Sequence, residues 1–327
     1  FADMPTLADK LKQRFATQYK ENEPLAKHVN FRIGGPAKYF VEARSTQDLI
    51  DAVKVAQEYS LPYFILGGGS NTLVADEGYL GLVIKAANRT TRIEGERVTV
   101  EAGVISATVA RASADKGLRG FEWAISLPGT IGGAVRGNAG CFGGEIKDNL
   151  ESVKILRGGE VMTVPVQDMD YGYRHSILKD EGYEHDVVLE ATFKLTPGDR
   201  LEALALIDKN LAGRKASQPL GSSSAGCMFK NFEYKSEDEV AKLAAKLEIP
   251  EAMKNMHRLG AGWIIDQLGL KGIKMGEAQI APQHGNFLLN VGHATAKDIV
   301  TLISFVKTKA RDEFGVQLQE EVQYLGF

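Results

Sequence analysis

The sequence is poor in the features that mark secreted, metal-binding or membrane-spanning proteins. Its 327 residues include only two cysteines, Cys141 and Cys227, which lie far apart and outside any Cys-x-x-Cys pattern. This excludes a disulfide framework and a cysteine-based zinc site, so we expect both thiols to be reduced. None of the 6 histidines stands at metal-ligand spacing from another, so no metal site is predicted. The absence of long apolar runs, including a signal-peptide core, indicates a cytoplasmic protein.

A surplus of either charge is also absent. With 39 basic and 42 acidic residues the formal net charge is -3, without the basic excess of proteins that bind nucleic acids or acidic membranes. The chain is long for a single core, because cores stop growing near roughly 250 to 300 residues. We therefore expect two or three domains, small-molecule substrates, and neither nucleic acid, a membrane nor an obligatory protein partner.

What the sequence does have is a mixture of helical and strand patterns that predicts an α+β fold. Apolar residues at helical spacing predict early helices over residues 6–15 and directly after Ser45. Strands are predicted in the runs LPYFIL, GLVIKA, RVTVEAGV, SVKILRGGEVMTVP and HDVVLEATFKLT. Helical patterns return in RLEALALIDKNLAGRKA, SEDEVAKLAAKLEI and TAKDIVTLISFVKTKARDEF, and the alternating VQLQEEVQYL closes the chain as a strand.

The sequence also has 35 glycines, an unusual number that concentrates in a few stretches. The first stretch, LGGGSN, follows a predicted strand. Gly67, Gly68 and Gly69 are expected to form a turn whose backbone N–H groups face an anion, with Ser70 and Asn71 as side-chain donors. The spacing matches neither GxGxxG nor GxxxxGK(S/T), so neither a Rossmann fold nor a P-loop is predicted. A plain tight turn is the alternative for this stretch alone.

A second glycine-rich stretch, ISLPGTIGGAVRGNAGCFGGEI, contributes the candidates Pro128, Gly129, Thr130, Gly132 and Gly133. Glycine destabilises a regular helix or strand by roughly 0.5 to 1 kcal/mol relative to alanine, so this density indicates a backbone that closely approaches something large. Two phosphate-binding loops suit a dinucleotide with a pyrophosphate bridge.

These two stretches and six others resemble, in the same order, those of the UDP-N-acetylenolpyruvoylglucosamine reductases, the MurB flavoenzymes of peptidoglycan synthesis. They are NFRIGGPA, LGGGSN, ISLPGTIGGAVRGNAGCFGGEI, YGYRHSILK, SAGCMFKNF, AGWIIDQLGLKG, NFLLNVGHATAKDI and GVQLQEEVQYLG. The resemblance covers nearly the whole chain. It implies an FAD-binding fold of the vanillyl-alcohol-oxidase type in two subdomains, 1–66 and 67–210. A C-terminal α+β substrate domain would follow over 211–312, and the strand 313–327 would return to the first subdomain.

The same resemblance implies the cofactors FAD and NADPH and a reaction in two halves. NADPH reduces FAD, and the reduced flavin passes a hydride to C3 of the enolpyruvyl group on a UDP-linked amino sugar, which gives UDP-N-acetylmuramate. Both glycine-rich stretches would hold the pyrophosphate and the flavin ring. The short interval between Arg174 and Cys227 is similar to that of the family's second type, which lacks an extra substrate-closing segment.

That reaction requires a cation where negative charge develops. Hydride addition to C3 places charge on C2 and on the neighbouring carboxylate, which a guanidinium can bind with both arms. Arg174 in YGYRHSILK matches the family's catalytic arginine, and Glu321 in LQEEV matches its catalytic glutamate. The apolar alternation around Glu321 places Glu320 on the buried face instead, and a β-bulge would reconcile the two. The residues predicted to share that face are Val316, Leu318, Val322 and Tyr324.

The reaction also requires an acid that protonates C2. Cys227 in SAGCMFKNF stands where the family most often has a serine in that role. A free thiol has a pKa near about 8.5, so it is a stronger acid than an aliphatic hydroxyl and is still protonated at neutral pH. As a thiolate it would also be open to alkylation and oxidation. The alternative is that Cys227 only packs and that water supplies the proton. Cys141, among glycines, is interpreted as a packing residue.

Substrate contacts are expected from Tyr173, Gln218, Lys230 and Asn231, because they lie in or beside stretches that resemble the family. Phe232 departs from the family's usual proline after FKN and leaves the local turn open.

Other functions fit parts of the sequence. Another FAD-dependent oxidoreductase of the same fold is one, although SAGCMFKNF and the closing EEV are similar to the reductase's substrate end. A thiol hydrolase or transferase would use Cys227 as a nucleophile with a histidine and an acid. It predicts a protein without flavin and leaves the glycine-rich loops unexplained. A nucleotide-binding module without turnover is the third alternative.

Overall fold

The computed structural model describes residues 5–219 and 221–327, so residues 1–4 of the predicted first domain and position 220 lie outside the described residues. The chain divides into two units, each assembled from separate stretches of sequence. The first unit comprises the residues up to Glu23, Ala37–Gly69 and Tyr79–Ala216, and the second comprises Pro24–Pro36, Ser70–Gly78 and Ser217–Phe327. The three predicted segments 1–66, 67–210 and 211–312 differ from this division. Their assignment to FAD-binding and substrate-binding domains stays a prediction.

Helices occur in both units and include those that the sequence predicts. They are α1 (Leu7–Phe15), α2 (Thr46–Glu58), α3 (Ser106–Asp115), α4 (Ile131–Gly137), α5 (Arg200–Ser217), α6 (Glu237–Ala244), α7 (Glu251–Asn255), α8 (Ala261–Gln267) and α9 (Ala296–Phe314). The three helical patterns after residue 200 correspond to α5, α6 and α9.

The strands are mostly short. They are β1 (Tyr19–Pro24), β2 (Pro36–Ala43), β3 (Tyr63–Leu66), β4 (Thr72–Val74), β5 (Tyr79–Ala86), β6 (Thr91–Glu94), β7 (Arg97–Glu101), β8 (Leu118–Arg119), β9 (Gly140–Cys141), β10 (Gly144–Glu145), β11 (Leu150–Arg157), β12 (Glu160–Pro165), β13 (Val187–Lys194), β14 (Thr196–Pro197), β15 (Phe232–Glu233), β16 (Arg258–Leu259), β17 (Lys274–Met275), β18 (Ala278–Ile280), β19 (Leu288–Asn290) and β20 (Gln323–Leu325). The predicted strand runs before residue 200 correspond to β3, β5, β7, β11, β12 and β13.

The two larger sheets of the described part of the first unit have four and five strands. A four-stranded sheet has the order β1-β2-β5-β3, and an antiparallel sheet has the order β12-β11-β13-β7-β6. β2 and β3 both run parallel to β5, and α2 is the crossover helix that such a connection needs. α4 packs on β13 and β7, which supports the second glycine-rich stretch on the antiparallel sheet. Residues that bury α1 and α2 against the first sheet include Leu11, Phe15, Leu49, Val53, Leu82 and Ile84.

Capping residues set where the early helices begin. At α1 the Thr6 hydroxyl accepts from the Asp9 N–H at 3.2 Å, and the Asp9 carboxylate accepts from the Thr6 N–H at 3.1 Å. At α2 the Ser45 hydroxyl accepts from the Asp48 N–H at 3.0 Å, but the Asp48 carboxylate accepts from Arg14 at 3.0 Å. The Asp48 carboxylate therefore connects α2 to α1 instead of completing a capping box.

The second unit has α9 as its longest helix. α9 begins with a capping box between Thr295 and Asp298 and ends at Gly315, whose φ is 71°. It packs against α8 and against the antiparallel sheet β17-β18-β19. Its buried face shares a core with Val316, Leu318 and Val322 of the carboxyl-terminal stretch; the contributing residues of α9 include Ile299, Leu302, Ile303 and Val306. This core supports the stretch that carries Glu321.

The carboxyl-terminal strand differs from its prediction in length and in partner. Only β20 is regular, and it pairs in parallel with β4, which lies outside residues 1–66. Val322 is buried as predicted, but Tyr324 is 38% exposed and Leu325 is buried instead. The alternation therefore shifts by one residue after Val322, because the pairing with β4 begins there.

Candidate active site

The two glycine-rich stretches meet in the first unit. Gly67, Gly68 and Gly69 form the turn after β3, with φ at Gly69 of 67°. A Cβ added to Gly67 would lie 2.5 Å from the Thr130 hydroxyl oxygen, and one added to Gly68 would lie 2.8 Å from the Gly129 Cα. Any larger residue would separate the two loops, so the glycines are needed for this close approach.

The rim of these loops keeps polar groups available for a ligand. The Thr130 hydroxyl is buried and has no hydrogen-bond partner among the described residues. Gly68 and Gly133 are exposed. Nowhere in the described ranges does a backbone carbonyl accept from the N–H of Gly68, Gly69 or Gly133. Such an orphaned hydroxyl and exposed loop N–H groups fit an anionic, hydrogen-bonding group such as a pyrophosphate.

Gly132 and its neighbour Ile131 have a different task. Their N–H groups donate to the carbonyls of Ala102 and Val104, both at 2.9 Å. A Cβ on Gly132 would lie 3.0 Å from the Ala102 Cβ. Gly132, a predicted cofactor-binding residue, therefore lets the start of α4 pack against the end of β7. The sequence contains no feature that distinguishes the packing role of Gly132 from the predicted cofactor-binding role of Gly133.

α4 also holds the segment that contains Arg174. Tyr171 and Ser176 donate hydroxyl hydrogen bonds to carbonyls of α4 at 3.0 and 2.6 Å. Just beyond the helix, the buried Asn138 donates to the Gly172 carbonyl at 2.9 Å. The start of α4 contacts the Gly67 to Gly69 turn, and its end supports the segment of the predicted catalytic arginine. Because a helix of this length spans roughly 10 Å, these two features lie about that far apart.

Arg174 lies at the tip of a tight turn. Gly172 and His175 exchange two backbone hydrogen bonds of 3.2 Å across it, and Arg174 has a φ of 54°, a conformation that side-chain-bearing residues seldom adopt. Its guanidinium donates to the Gly140 carbonyl at 3.1 Å and lies 5.3 Å from the Tyr173 ring centroid. The turn therefore directs the guanidinium of this predicted catalytic arginine to the second glycine-rich stretch, with the ring of the predicted substrate residue Tyr173 beside it.

Carboxylates surround the histidine of this turn. The His175 Nε2 lies 3.5 Å from an oxygen of Asp180 and 4.0 Å from one of Asp170. One possible ligand atom from each of the three side chains lies within 4.8 Å of the others, a cluster that a search for paired histidines in the sequence missed.

Burial controls the ionisable groups around α4. It raises the pKa of the Cys141 thiol, whose sulfur donates to the Trp123 carbonyl at 3.1 Å. It also raises the pKa of Tyr171 and lowers that of the Arg136 guanidinium. Cys141 packs against the core of the first unit, in agreement with its interpretation as a packing residue.

In the second unit, the stretch from Cys227 to Lys230 lies between two neighbouring stretches of chain. On one side Cys227 forms an antiparallel bridge with Phe287. On the other side Phe229 forms one with Glu320, and the Glu321 N–H donates to the Met228 carbonyl at 2.8 Å. Glu321 therefore stands opposite the residue after Cys227. The structure brings together two predicted catalytic residues that the sequence separates widely.

The two adjacent glutamates have different surroundings. Glu320 forms an ion pair with Lys307 of α9 at 3.0 Å and accepts from the Tyr324 hydroxyl at 3.3 Å. Burial first, and then the Glu320 charge, raise the pKa of Tyr324. The Glu321 carbonyl accepts from the Asn71 side-chain amide at 3.0 Å. The apolar pattern thus pointed to the glutamate that serves an ion pair, and Asn71, a predicted cofactor residue, supports the Glu321 backbone.

The other predicted substrate residues of the second unit are Asn231, Lys230 and Gln218, which are at least partly buried. The Asn231 side-chain oxygen accepts from the Ala261 N–H at the start of α8 at 3.1 Å, and Lys230 is half-buried beside it. Within the described residues the Gln218 side-chain oxygen is buried without a partner. Phe232 begins β15 and pairs with Leu259, so a strand takes the place of the turn that the usual proline would favour.

Comparisons with known proteins fit this arrangement. An FAD binding domain family matches residues 37–164, and the C-terminal domain of UDP-N-acetylenolpyruvoylglucosamine reductase matches residues 218–325. A curated UDP-N-acetylenolpyruvoylglucosamine reductase from Clostridioides difficile (strain 630) is 36% identical over 310 residues, which cover 94% of this chain and 93% of that protein. The chain belongs to the UDP-N-acetylenolpyruvoylglucosamine reductase family.

Two other members of the reductase family are similar to this chain over nearly its whole length. The relative from Alkaliphilus oremlandii is 36% identical over 308 residues, covering 93% of this chain and 92% of that protein. The crystal structure of the family member from Thermus caldophilus, named MurB, has a TM-score of 0.74 and 31% identity and covers 94% of this chain and 98% of that chain. The predicted family and the α+β fold with an FAD-binding domain are confirmed.

Most candidate residues of this reductase family member lie in one or the other of the two matched regions. The FAD binding match contains both glycine-rich stretches, and the C-terminal match contains Cys227, Lys230, Asn231 and Glu321. Arg174 lies between the two matches, where only the YGYRHSILK motif identified it. Among the described residues no helix has both the length and the apolar character to cross a membrane.

Proposed function

We infer that this chain is an FAD-dependent reductase that uses NADPH to convert UDP-N-acetylenolpyruvoylglucosamine to UDP-N-acetylmuramate in peptidoglycan synthesis. The observation that carries this inference is the match at 36% identity over 94% of the chain to a reductase of that name. Its substrates are small molecules, and we place the reaction in the cytoplasm, where both NADPH and the UDP-linked sugar are made.

The loops formed by Gly67 to Ser70 and Pro128 to Gly133 would hold FAD, which when bound supplies the hydride for C3 of the substrate. The orphaned Thr130 hydroxyl and the Gly68, Gly69 and Gly133 N–H groups are the donors available to its pyrophosphate. Gly129 has a φ of 91°, which favours glycine, and Gly68 must lack a side chain because a Cβ added to it would meet the Gly129 Cα at 2.8 Å.

Arg174 stabilises the charge that develops on the substrate carboxylate. Its bond to the Gly140 carbonyl fixes the guanidinium before substrate arrives, so little reorganisation is needed in the transition state. Tyr173 packs beside the guanidinium and restricts its orientation further.

Cys227 donates its thiol proton to C2, which completes addition across the double bond and leaves a thiolate that solvent reprotonates. Glu321, opposite the next residue, hydrogen-bonds the developing enolate or assists the proton transfer. Gln218, Lys230 and Asn231 contact the sugar and phosphates of the substrate. Gln218 has the clearest support, since its buried side-chain oxygen lacks a partner among the described residues.

Gly133→Ala tests the cofactor loops. A Cβ at this position would meet nothing closer than the Thr130 hydroxyl at 3.9 Å, and alanine is favoured over glycine in helices by about 1 kcal/mol. We expect the apoprotein to unfold at the same or a higher temperature, while its affinity for FAD falls about tenfold or more, equivalent to about 1.4 kcal/mol. Thermal unfolding and FAD titration by flavin fluorescence measure the two effects.

Gly260→Ala is the matched control, because this glycine precedes α8 with a φ of -62° and its nearest contact would be 3.7 Å. We expect it to leave the affinity for FAD unchanged and to lower the unfolding temperature slightly, because glycine is preferred over alanine at a helix N-cap. An unchanged FAD affinity in Gly133→Ala would remove Gly133 from the cofactor site.

The proposed function is tested by an anaerobic absorbance trace of the purified protein with FAD. NADPH is added first and the UDP-linked enolpyruvyl sugar second. We expect the flavin absorbance band to bleach and then to return, with one equivalent of UDP-N-acetylmuramate formed, because hydride addition must be stoichiometric. A flavin that stays reduced would indicate another electron acceptor, and a protein that binds no FAD would indicate a thiol enzyme.

A further inference from the structure

Asn286 makes an unusual contact with the stretch that carries Cys227. Its side-chain oxygen accepts from the Phe229 N–H at 2.9 Å, and its side-chain nitrogen donates to the Phe229 carbonyl at 2.9 Å. Asn286 is only 2% exposed, and Phe229 is 1% exposed. One amide side chain thus pairs both backbone groups of a single buried residue, as a neighbouring β-strand would do.

The backbone of Asn286 extends the same contact. Its carbonyl accepts from the Met228 N–H at 2.8 Å, and its N–H donates to the His284 Nδ1 at 3.1 Å. The next residue, Phe287, forms the antiparallel bridge with Cys227. Asn286 therefore contacts the residues between Cys227 and Lys230 through its side chain and its backbone together.

Main-chain bonds hold the opposite edge of the stretch. The Glu321 N–H donates to the Met228 carbonyl and the Lys230 N–H donates to the Gln319 carbonyl, both at 2.8 Å. The N–H and the carbonyl of Phe229 are both directed to Asn286, so this side chain completes the pairing at a position where the main chain does not.

We propose that Asn286 is a positioning residue for proton donation: by pairing both backbone groups of Phe229, it holds Cys227 and Glu321 in the relative register that the reaction needs. The proposal rests on the proposed function. It assigns to Asn286 no contact with substrate or cofactor. A displacement of about 1 Å in a reacting group can cost on the order of 10²-fold in rate, so a loosened stretch would slow the step in which Cys227 acts.

The chemistry of the amide makes the proposal specific. Aspartate has nearly the same shape, but a carboxylate cannot donate to the Phe229 carbonyl and would repel it. Serine is shorter and has one hydroxyl in place of the separate donor and acceptor atoms of the amide, so it cannot reproduce both parallel bonds. Asn286→Asp should therefore disturb the stretch more than Asn286→Ser, although serine removes more of the side chain.

The experiment measures the two half-reactions separately by anaerobic rapid mixing. In Asn286→Asp with bound FAD, we expect flavin reduction by NADPH to stay within about twofold of the parent. We expect reoxidation by the UDP-linked enolpyruvyl sugar to slow by about 10²-fold, with a larger solvent deuterium isotope effect because proton transfer becomes rate-limiting. Asn286→Ser should slow reoxidation selectively as well, but by a smaller factor. It replaces the aspartate variant in the experiment if that variant does not fold.

Asn210→Asp is the matched control. Asn210 is a buried amide in the first unit that donates to the Glu122 carbonyl at 3.2 Å, and we expect its loss to lower stability without a selective effect on reoxidation. Parent-like reoxidation in the folded Asn286 variants, or equal slowing of both half-reactions, would overturn the proposal. If the parent protein's reduced flavin does not respond to the sugar, the proposed function itself fails.

Discussion

Cys227→Ala is expected to lose nearly all flavin reoxidation by the UDP-linked enolpyruvyl sugar while its flavin is still reduced by NADPH at the parent rate. General acid catalysis contributes about 10² to 10⁴-fold to such a step, and alanine offers no proton. Cys227 is half-buried against Phe287 and Leu289, so removal of one sulfur atom leaves a small gap and little loss of stability. Rapid-mixing absorbance at the flavin band, run separately for each half-reaction, measures the effect.

Two variants control this result. Cys227→Ser supplies a hydroxyl acid, and we expect it to retain activity, because the sequence resemblance implies a serine in this role in the family. Cys141→Ala removes the other thiol, which packs against the core and donates to the Trp123 carbonyl, and it should leave both half-reactions unchanged. If Cys227→Ala reoxidises its flavin as fast as the parent, water is the proton donor and Cys227 is a packing residue.

Arg174→Met is expected to have the second large effect, a loss of about 10³-fold in the rate of flavin reoxidation by the sugar. The substrate carboxylate gains charge as hydride arrives, and methionine keeps the length of the side chain without the cation. Because Arg, Lys and Met have similar difficulty in adopting the φ of 54° at this position, the comparison is little affected by backbone strain. The rate is measured with NADPH-reduced enzyme mixed anaerobically with substrate.

Arg174→Lys separates charge from geometry. A lysine keeps the charge but lacks the planar fork that binds both carboxylate oxygens, so we expect a loss between those of the parent and Arg174→Met. Arg200→Met is the control, because Arg200 is an exposed arginine of the same unit that pairs with Asp115 at 3.2 Å. Arg174 has no role at the substrate carboxylate if its methionine variant reoxidises normally.

Local sequence patterns predicted much of the fold. α1 and α2 begin at Thr6 and Ser45 because a hydroxyl that caps a helix needs only residues three positions away. β11 and β12 form a hairpin around the Gly158 and Gly159 turn for the same reason, since strand patterning and turn residues are contained in one short stretch. Such elements depend on neighbours in sequence.

The carboxyl-terminal stretch was predicted less well. Its alternation indicated one strand with Glu320 facing the core, but the stretch pairs first with Phe229 and then, after a shift, with β4. The pattern identified the buried Val316, Leu318 and Val322 correctly. It placed Glu320 on the buried face but could not show what either glutamate does, because the partner of the Glu320 carboxylate is Lys307 of the preceding helix α9, which the alternation does not include.

By itself the sequence determined the family, the α+β class and the catalytic candidates, because these depend on residue types in a fixed order. Only the tertiary structure decided which of these residues lie together and which groups they bond. It assigned the Gly132 N–H to Ala102, the Asn71 amide to the Glu321 carbonyl, and a two-sided pairing of Phe229 to Asn286. These are hydrogen bonds between groups far apart in the chain, and a buried donor or acceptor finds its partner only when folding has brought distant segments side by side.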